Sequence, residues 1–127
     1  MTESTQTFVA VGVGAYRLAL PASAVYGVIT DVLVGEPALY RGARLPLIDL
    51  GAIFTTTRRL VAPFAVITQA RGESCAVGVD SVAHIPLRGT LVAVPKLGLL
   101  RPDLFEGALR GADGLTLVLS PRNLIGL

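Results

Sequence analysis

Short apolar runs rich in valine, leucine and isoleucine recur along this whole chain, and glycine or proline closes each within about ten residues. That punctuation constrains the fold more than any other feature. An amphipathic helix needs about ten or more residues with a period of about 3.6, and the breakers leave no room for one. What fits is a series of short strands joined by tight turns, hence an all-β barrel or sandwich. Phe8-Val-Ala-Val-Gly-Val-Gly14 and Ala15-Tyr-Arg-Leu-Ala-Leu20 alternate small and large side chains, which predicts a hairpin turning at Gly12 to Gly14. Val25 to Val34 is β-branched but interrupted by Gly27 and Asp31, which predicts a bent strand. Pro46 confines Leu45 to Leu50 to a sheet edge or strand start, and Gly51 to Leu60 reads as a loop. Pro63 to Gln69 and Ser74 to Asp80 form a second hairpin about Arg71-Gly-Glu73. Val82 to Leu87 and Leu91 to Val94 read as extended, and Leu97 to Pro102 as a brief helical turn. Phe105 to Leu109 and Leu115 to Leu119 form a last hairpin, and Ser120-Pro121 caps a final turn of helix. Ile48, Leu50, Val66, Val77, Val79, Leu117 and Leu119 fall on the apolar faces of these strands and are the expected core.

Composition removes several classes of function. The apolar fraction of 52% against 16% charged residues excludes intrinsic disorder for the chain as a whole. Residues 1–7 are polar and acidic, with no basic region leading into an apolar core; they read as a disordered N-terminus rather than a secretory signal, ahead of a single domain over 8–127. The charge-free stretches Phe8 to Tyr16 and Leu18 to Thr30 carry Gly, Ser or Pro and fall short of the ~18–20 residues of a membrane span. One cysteine, Cys75, excludes an internal disulfide, and one cysteine with one histidine excludes a His/Cys zinc site. A soluble, cytoplasmic domain is expected. Net charge is +2, but ten arginines and Lys96 are scattered, with only Arg58 and Arg59 adjacent. There is no tryptophan to stack on bases, so the chain is not expected to bind nucleic acid.

Few constellations suit catalysis. Gly12-Val-Gly14 follows a strand, yet the third glycine of a dinucleotide fingerprint would fall at Arg17 and no helix follows; a hairpin turn explains the pair. His84 has only Asp80 and Ser81 near it in sequence and reads as a structural or surface histidine. Cys75 has no cationic neighbour and reads as a small core residue. Asp49 and Asp80 stand out because apolar residues flank each. An acid ending an apolar strand usually accepts backbone N–H groups at a turn, with an active-site carboxylate pair as the lesser alternative. Arg41-Gly42 precedes an apolar strand. Its guanidinium fork either meets a fixed partner or is solvated at a turn, and the residues leave both open.

Several stretches, in order, resemble the CheW-like family of chemotaxis coupling proteins. Tyr16-Arg-Leu-Ala-Leu-Pro21 with Ala24-Val25 is similar to the family's opening hairpin and its continuation. Arg41-Gly-Ala-Arg-Leu-Pro-Leu-Ile-Asp-Leu50 resembles its "RG..lPviDL" signature, and Ala76-Val-Gly-Val-Asp-Ser-Val82 its "glvVD.V". Phe105-Glu-Gly107, Leu115 to Leu119 and Leu124-Ile125 resemble its ending. The resemblance implies two small SH3-like five-stranded barrels packed along an apolar seam. It implies a non-enzymatic adaptor without cofactor or metal and without direct membrane insertion. Its expected partners are the cytoplasmic tip of a methyl-accepting chemotaxis receptor, a CheA-type histidine kinase and other CheW-like proteins. The receptor tip is expected in the groove between the barrels, at Val25, Val28, Arg41, Gly42 and Val82; the resemblance assigns no kinase-facing residue.

Two departures qualify this. The family usually has an acid after the opening hairpin that can pair with the arginine of its "RG"; Gly27 stands there and leaves Arg41 without that partner. The connection from Ile29 to Tyr40 is also shorter than the family's and trims one barrel on the side of kinase contact. The chain is therefore similar to reduced members such as the Frz type (FrzB-like) of gliding bacteria, which implies that the receptor groove is kept and the kinase surface weakened. A small barrel enzyme would need a polar cluster in a pocket, and a basic β-barrel binding module would need clustered arginines.

Overall fold

The computed structural model describes residues 5–55, 58–93, 101–111, 114–125 and 127. The strands are β1 (Gln6–Val13), β2 (Tyr16–Pro21), β3 (Val25–Leu33), β4 (Ala38–Tyr40), β5 (Ala43–Leu45), β6 (Leu47–Asp49), β7 (Val61–Ala70), β8 (Glu73–Val79), β9 (Ser81–Val82), β10 (Leu87–Gly89), β11 (Leu91–Val92), β12 (Phe105–Gly111) and β13 (Gly114–Leu119). Two short helices, α1 (Leu50–Phe54) and α2 (Pro121–Leu124), and two single 3-10 turns, Ala22–Ala24 and Pro102–Leu104, complete the described chain.

One sheet runs in the order β10-β1-β2-β13-β12-β11, with β9 also on β1. Only Thr90 separates β10 from β11, so one extended segment pairs with β1 at one edge (Leu87 opposite Phe8) and with β12 at the other (Leu91 opposite Leu109). The sheet thereby curls back on itself around Phe8, Ala19, Leu109 and Val118. The second sheet runs β3-β7-β8-β6, and the β4–β5 hairpin lays Ala38, Tyr40 and Leu45 over Ala65, Ile67 and Ala76. Among the described residues the hairpin pairs only with itself, so this second, smaller unit stays open.

The largest core is the seam between the two units. Strand period decides which side chains enter it, because successive residues point to opposite faces. On β2, Leu18 and Leu20 enter the seam while Ala19 points into the first unit; on β8, Cys75, Val77 and Val79 enter it while Ala76 points into the second core. Central strands buried on both faces read as near-continuous apolar runs, which is why this sequence looks so uniformly β-apolar. Leu50 and Phe54 of α1, Leu124 of α2, and Leu104, Phe105 and Leu119 pack into the same cluster. Of the expected core, Leu50, Val66, Val77, Val79 and Leu119 are fully buried, whereas Ile48 and Leu117 are half-buried at its margin.

Other expectations are revised. β1 begins at Gln6, whose partner is Gly89, so Gln6 and Thr7 belong to the sheet rather than to a disordered segment over 1–7. Gly51 to Leu60 is not wholly loop, because Asp49 caps α1 by accepting the Gly51 N–H at 3.1 Å. Most of the helical turn expected over Leu97 to Pro102 lies outside the described residues; the 3-10 turn that is described begins at Pro102. The capped C-terminal turn is present, with Ser120 Oγ accepting the Asn123 N–H at 3.4 Å. Among the described residues no helix is long and apolar enough to cross a membrane.

Candidate functional site

Of the three valines singled out by resemblance, Val25 and Val82 pack against the seam cluster, and Val28 sits on the edge strand opposite a residue of that cluster. The 3-10 turn after Pro21 carries the chain across to the second sheet, where Val25 begins β3 opposite Thr68. A bulge between Val25 and Gly27 absorbs one residue, and Val28 then pairs with Val66, a seam residue. Farther on, Asp31 has a φ of 53°, and Val32 beyond it enters the second core instead. Val25 is half-buried against the seam cluster, and Val28 is 44% exposed on the edge strand. Val82, paired with Val11 on the first sheet, packs against the same cluster from the other side.

Arg41 and Gly42 lie apart from those valines, at the tip of the β4–β5 hairpin. Their φ angles of 50° and 80° are those of a tight two-residue turn with both central residues left-handed. The Arg41 guanidinium lies 5.4 Å from the centre of the Tyr40 ring. Tyr40 in turn covers Gly27: a Cβ there would fall 2.5 Å from the phenol oxygen, and that hydroxyl donates to the Tyr26 carbonyl at 2.9 Å. The place where the resembled family carries an acid is thus filled by a tyrosine, and Arg41 rests on the ring as a cation on a π face.

Asp49 and Asp80 do accept backbone N–H groups. Asp49 takes that of Gly51, and Asp80 takes that of Gly14 at 2.6 Å. The two carboxylates also share a cation. Arg59 donates from Nη2 and Nε to Asp49, at 2.5 and 3.2 Å, and from Nη1 to Asp80. Burial alone would raise the Asp80 carboxyl, but the Gly14 N–H and the Arg59 guanidinium outweigh it and hold it below the ordinary carboxylate range. The hydrogen bond to Asp49 does most to raise Arg59 above its usual value. Nearby, Thr55 Oγ1 donates to the Gly51 carbonyl at 2.5 Å. This is an ion-pair cluster at one end of the second sheet, tied to the first unit by the Gly14 N–H, with each charge already answered. The sequence signal was there, since an apolar-flanked carboxylate calls for a cation, but nothing local selects Arg59 from ten arginines.

His84 lies exposed in the turn between β9 and β10. Cys75 is buried, and burial pushes its thiol up to about 11, which suits packing rather than nucleophilic chemistry. Among the described residues no group of three or more His, Cys, Asp or Glu side chains comes together to hold a metal.

Two barrel-like units on one apolar seam define a recognisable architecture. The crystal structure of the scaffolding protein TtCheW from Thermoanaerobacter tengcongensis has it: the TM-score is 0.79, with 17% identity, covering 92% of this chain and 90% of that one. The chain therefore has the CheW fold, of SH3-like β-barrel units, with the second unit left open here among the described residues. No protein-family model matches the sequence, and no curated protein matches it.

Proposed function

We propose that this chain is a non-enzymatic, cytoplasmic adaptor of a bacterial chemosensory array. It takes the cytoplasmic tip of a methyl-accepting chemoreceptor along the seam and links it to a CheA-type histidine kinase and other CheW-like proteins. The observation that carries this reading is the border of the seam: Val25 from one unit and Val82 from the other pack against one apolar cluster, and Val28 is exposed on the edge strand opposite Val66 of that cluster. An apolar helix face fits such a border. Arg41 and Gly42, at the hairpin tip, form the polar end of the contact. Support comes from the motif resemblance and from a shared fold with a scaffolding protein.

Val28→Asp tests it by placing an unpaired charge in a desolvated contact. Binding of the receptor tip is expected to be lost while the unfolding midpoint stays unchanged; undiminished binding puts the groove elsewhere. A second reading, a receptor-side accessory similar to the Frz type of gliding bacteria, is favoured by the compact connection: between β3 and β5 lie only a turn and β4. Titration with the kinase regulatory domain separates the two. A low-micromolar or tighter complex supports the linking adaptor, and absence of a complex supports the accessory.

A further inference from the structure

Between Val34 and Pro46 the chain leaves the second sheet and returns to it. At the start, the Val34 N–H donates to the Leu60 carbonyl at 2.8 Å; at the end, the Pro46 carbonyl accepts the Ala76 N–H at 2.8 Å. Inside those two points, β4 and β5 pair only with each other. Among the described residues, no backbone hydrogen bond and no ion pair joins residues 35–45 to the rest of the chain. One side-chain bond does so, from the Tyr40 hydroxyl to the Tyr26 carbonyl on β3 at 2.9 Å.

Apolar packing supplies the remaining hold, and it is thin. The hairpin contributes one fully buried side chain, Ala38, with Tyr40 and Leu45 half-buried, while Leu39 is largely exposed. Two of the three residues beneath, Ala65 and Ala76 beside Ile67, are alanines, which remove little apolar surface from water. The ends of the hairpin also suit a pivot. Gly35 has a φ of 96° with open space where a Cβ would stand, and Pro46 fixes the backbone at the return. A segment with few buried apolar contacts and few bonds to its surroundings opens at a lower free energy than the whole domain. We propose that the β4–β5 hairpin is a flap that lifts from the second sheet while the rest of the fold stays intact, with Tyr40 as its latch. Lifting takes the ring off Gly27 and frees the Tyr26 carbonyl on the edge strand. It bares Ala65, Ile67 and Ala76 and carries the Arg41–Gly42 tip away from the sheet. The flap stands on these contacts whether or not the adaptor reading holds.

Thiol labelling of the folded full chain tests it, with Cys75 in the seam as the internal reference. Ala38→Cys puts a second thiol under the flap, and Ile67→Cys puts one on the floor beneath it. The thiols at positions 38 and 67 are expected to react at least about a hundredfold faster than Cys75, which only wider unfolding releases. Rates equal to that of Cys75 overturn the flap. So does a fast thiol at position 38 with a slow one at position 67, the mark of a hairpin that frays without lifting. Tyr40→Phe keeps the ring and removes the latch bond. It is expected to speed labelling at position 38 about fivefold, the effect of losing one hydrogen bond, and an unchanged rate overturns Tyr40 as the latch. If a cysteine variant fails to fold, amide exchange on the unsubstituted chain decides. The Tyr40 and Ala43 amides, paired across the hairpin turn, are expected to exchange with a shallower dependence on denaturant than those of Val66 and Val77, paired between β7 and β8. A common slope overturns the flap.

Discussion

Thr68 is fully buried in β7, opposite Val25 on one side and Cys75 on the other, and its hydroxyl has no hydrogen-bond partner among the described residues. A desolvated hydroxyl left unpaired costs about 1–3 kcal/mol. Valine has the same branched shape and suits a strand equally well. Thr68→Val is therefore expected to stabilise the protein by about 1 kcal/mol, seen as a higher denaturant midpoint with an unchanged slope. A lower midpoint would show that the hydroxyl is bonded, for instance to an ordered water. This residue was not legible in advance. A threonine in Pro63 to Gln69 looks like ordinary strand composition, and only the packing of the second sheet on the first removes it from water.

Among elements, the β4–β5 hairpin and β3 are held together by a glycine. The Tyr40 ring occupies the space over Gly27, so Gly27→Ala must displace it and break its bond to the Tyr26 carbonyl. That substitution is expected to cost about 1–2 kcal/mol. In a Tyr40→Ala background it is expected to be neutral or favourable, because alanine suits a strand interior better than glycine. The double-mutant cycle reads the difference, and equal costs in both backgrounds would mean that Tyr40 does not fill that space. The β7–β8 hairpin was readable from the sequence because turn chemistry is local, whereas the first hairpin turns at Gly14 and Ala15, with Gly12 still paired in the strand. Arg71 and Gly72, with φ of 54° and 78°, turn where Arg71-Gly-Glu73 predicts. Helix α1 was missed because it is too short to show a period, and its one cue was Asp49 ahead of an apolar run.

Across the whole molecule, the Asp49–Arg59–Asp80 clasp ties the Gly14 turn of the first unit to α1 of the second. Asp80 also precedes the crossover into β9, whose pairing with β1 seats Val82 at the seam. The folded carboxyl of Asp80 is held below its unfolded value, so its charge stabilises the fold above about pH 4, and that contribution is lost as pH falls through the folded value. Asp80→Asn is expected to be less stable than wild type at pH 7, with the gap closing below about pH 4. Unfolding midpoints of both proteins from neutral to acidic pH check this. A gap that persists unchanged at acidic pH would separate the charge of Asp80 from its role in the clasp.

The sequence by itself determined the class of fold, three of the four described hairpins and most of the core. These follow from period, breakers and caps, which act over a few neighbouring residues. Val66, Val77 and Val79 could be placed inside because their own strands already had a buried face. Tertiary structure alone decided which arginine meets Asp49 and Asp80, that Tyr40 fills the space above Gly27, and that Arg17 and Ser81 face each other across Gly12. Each of these joins residues on different strands or on loops well apart in the chain. Their encounter depends on sheet order and register, which local propensity does not encode and only the packing of the two units selects.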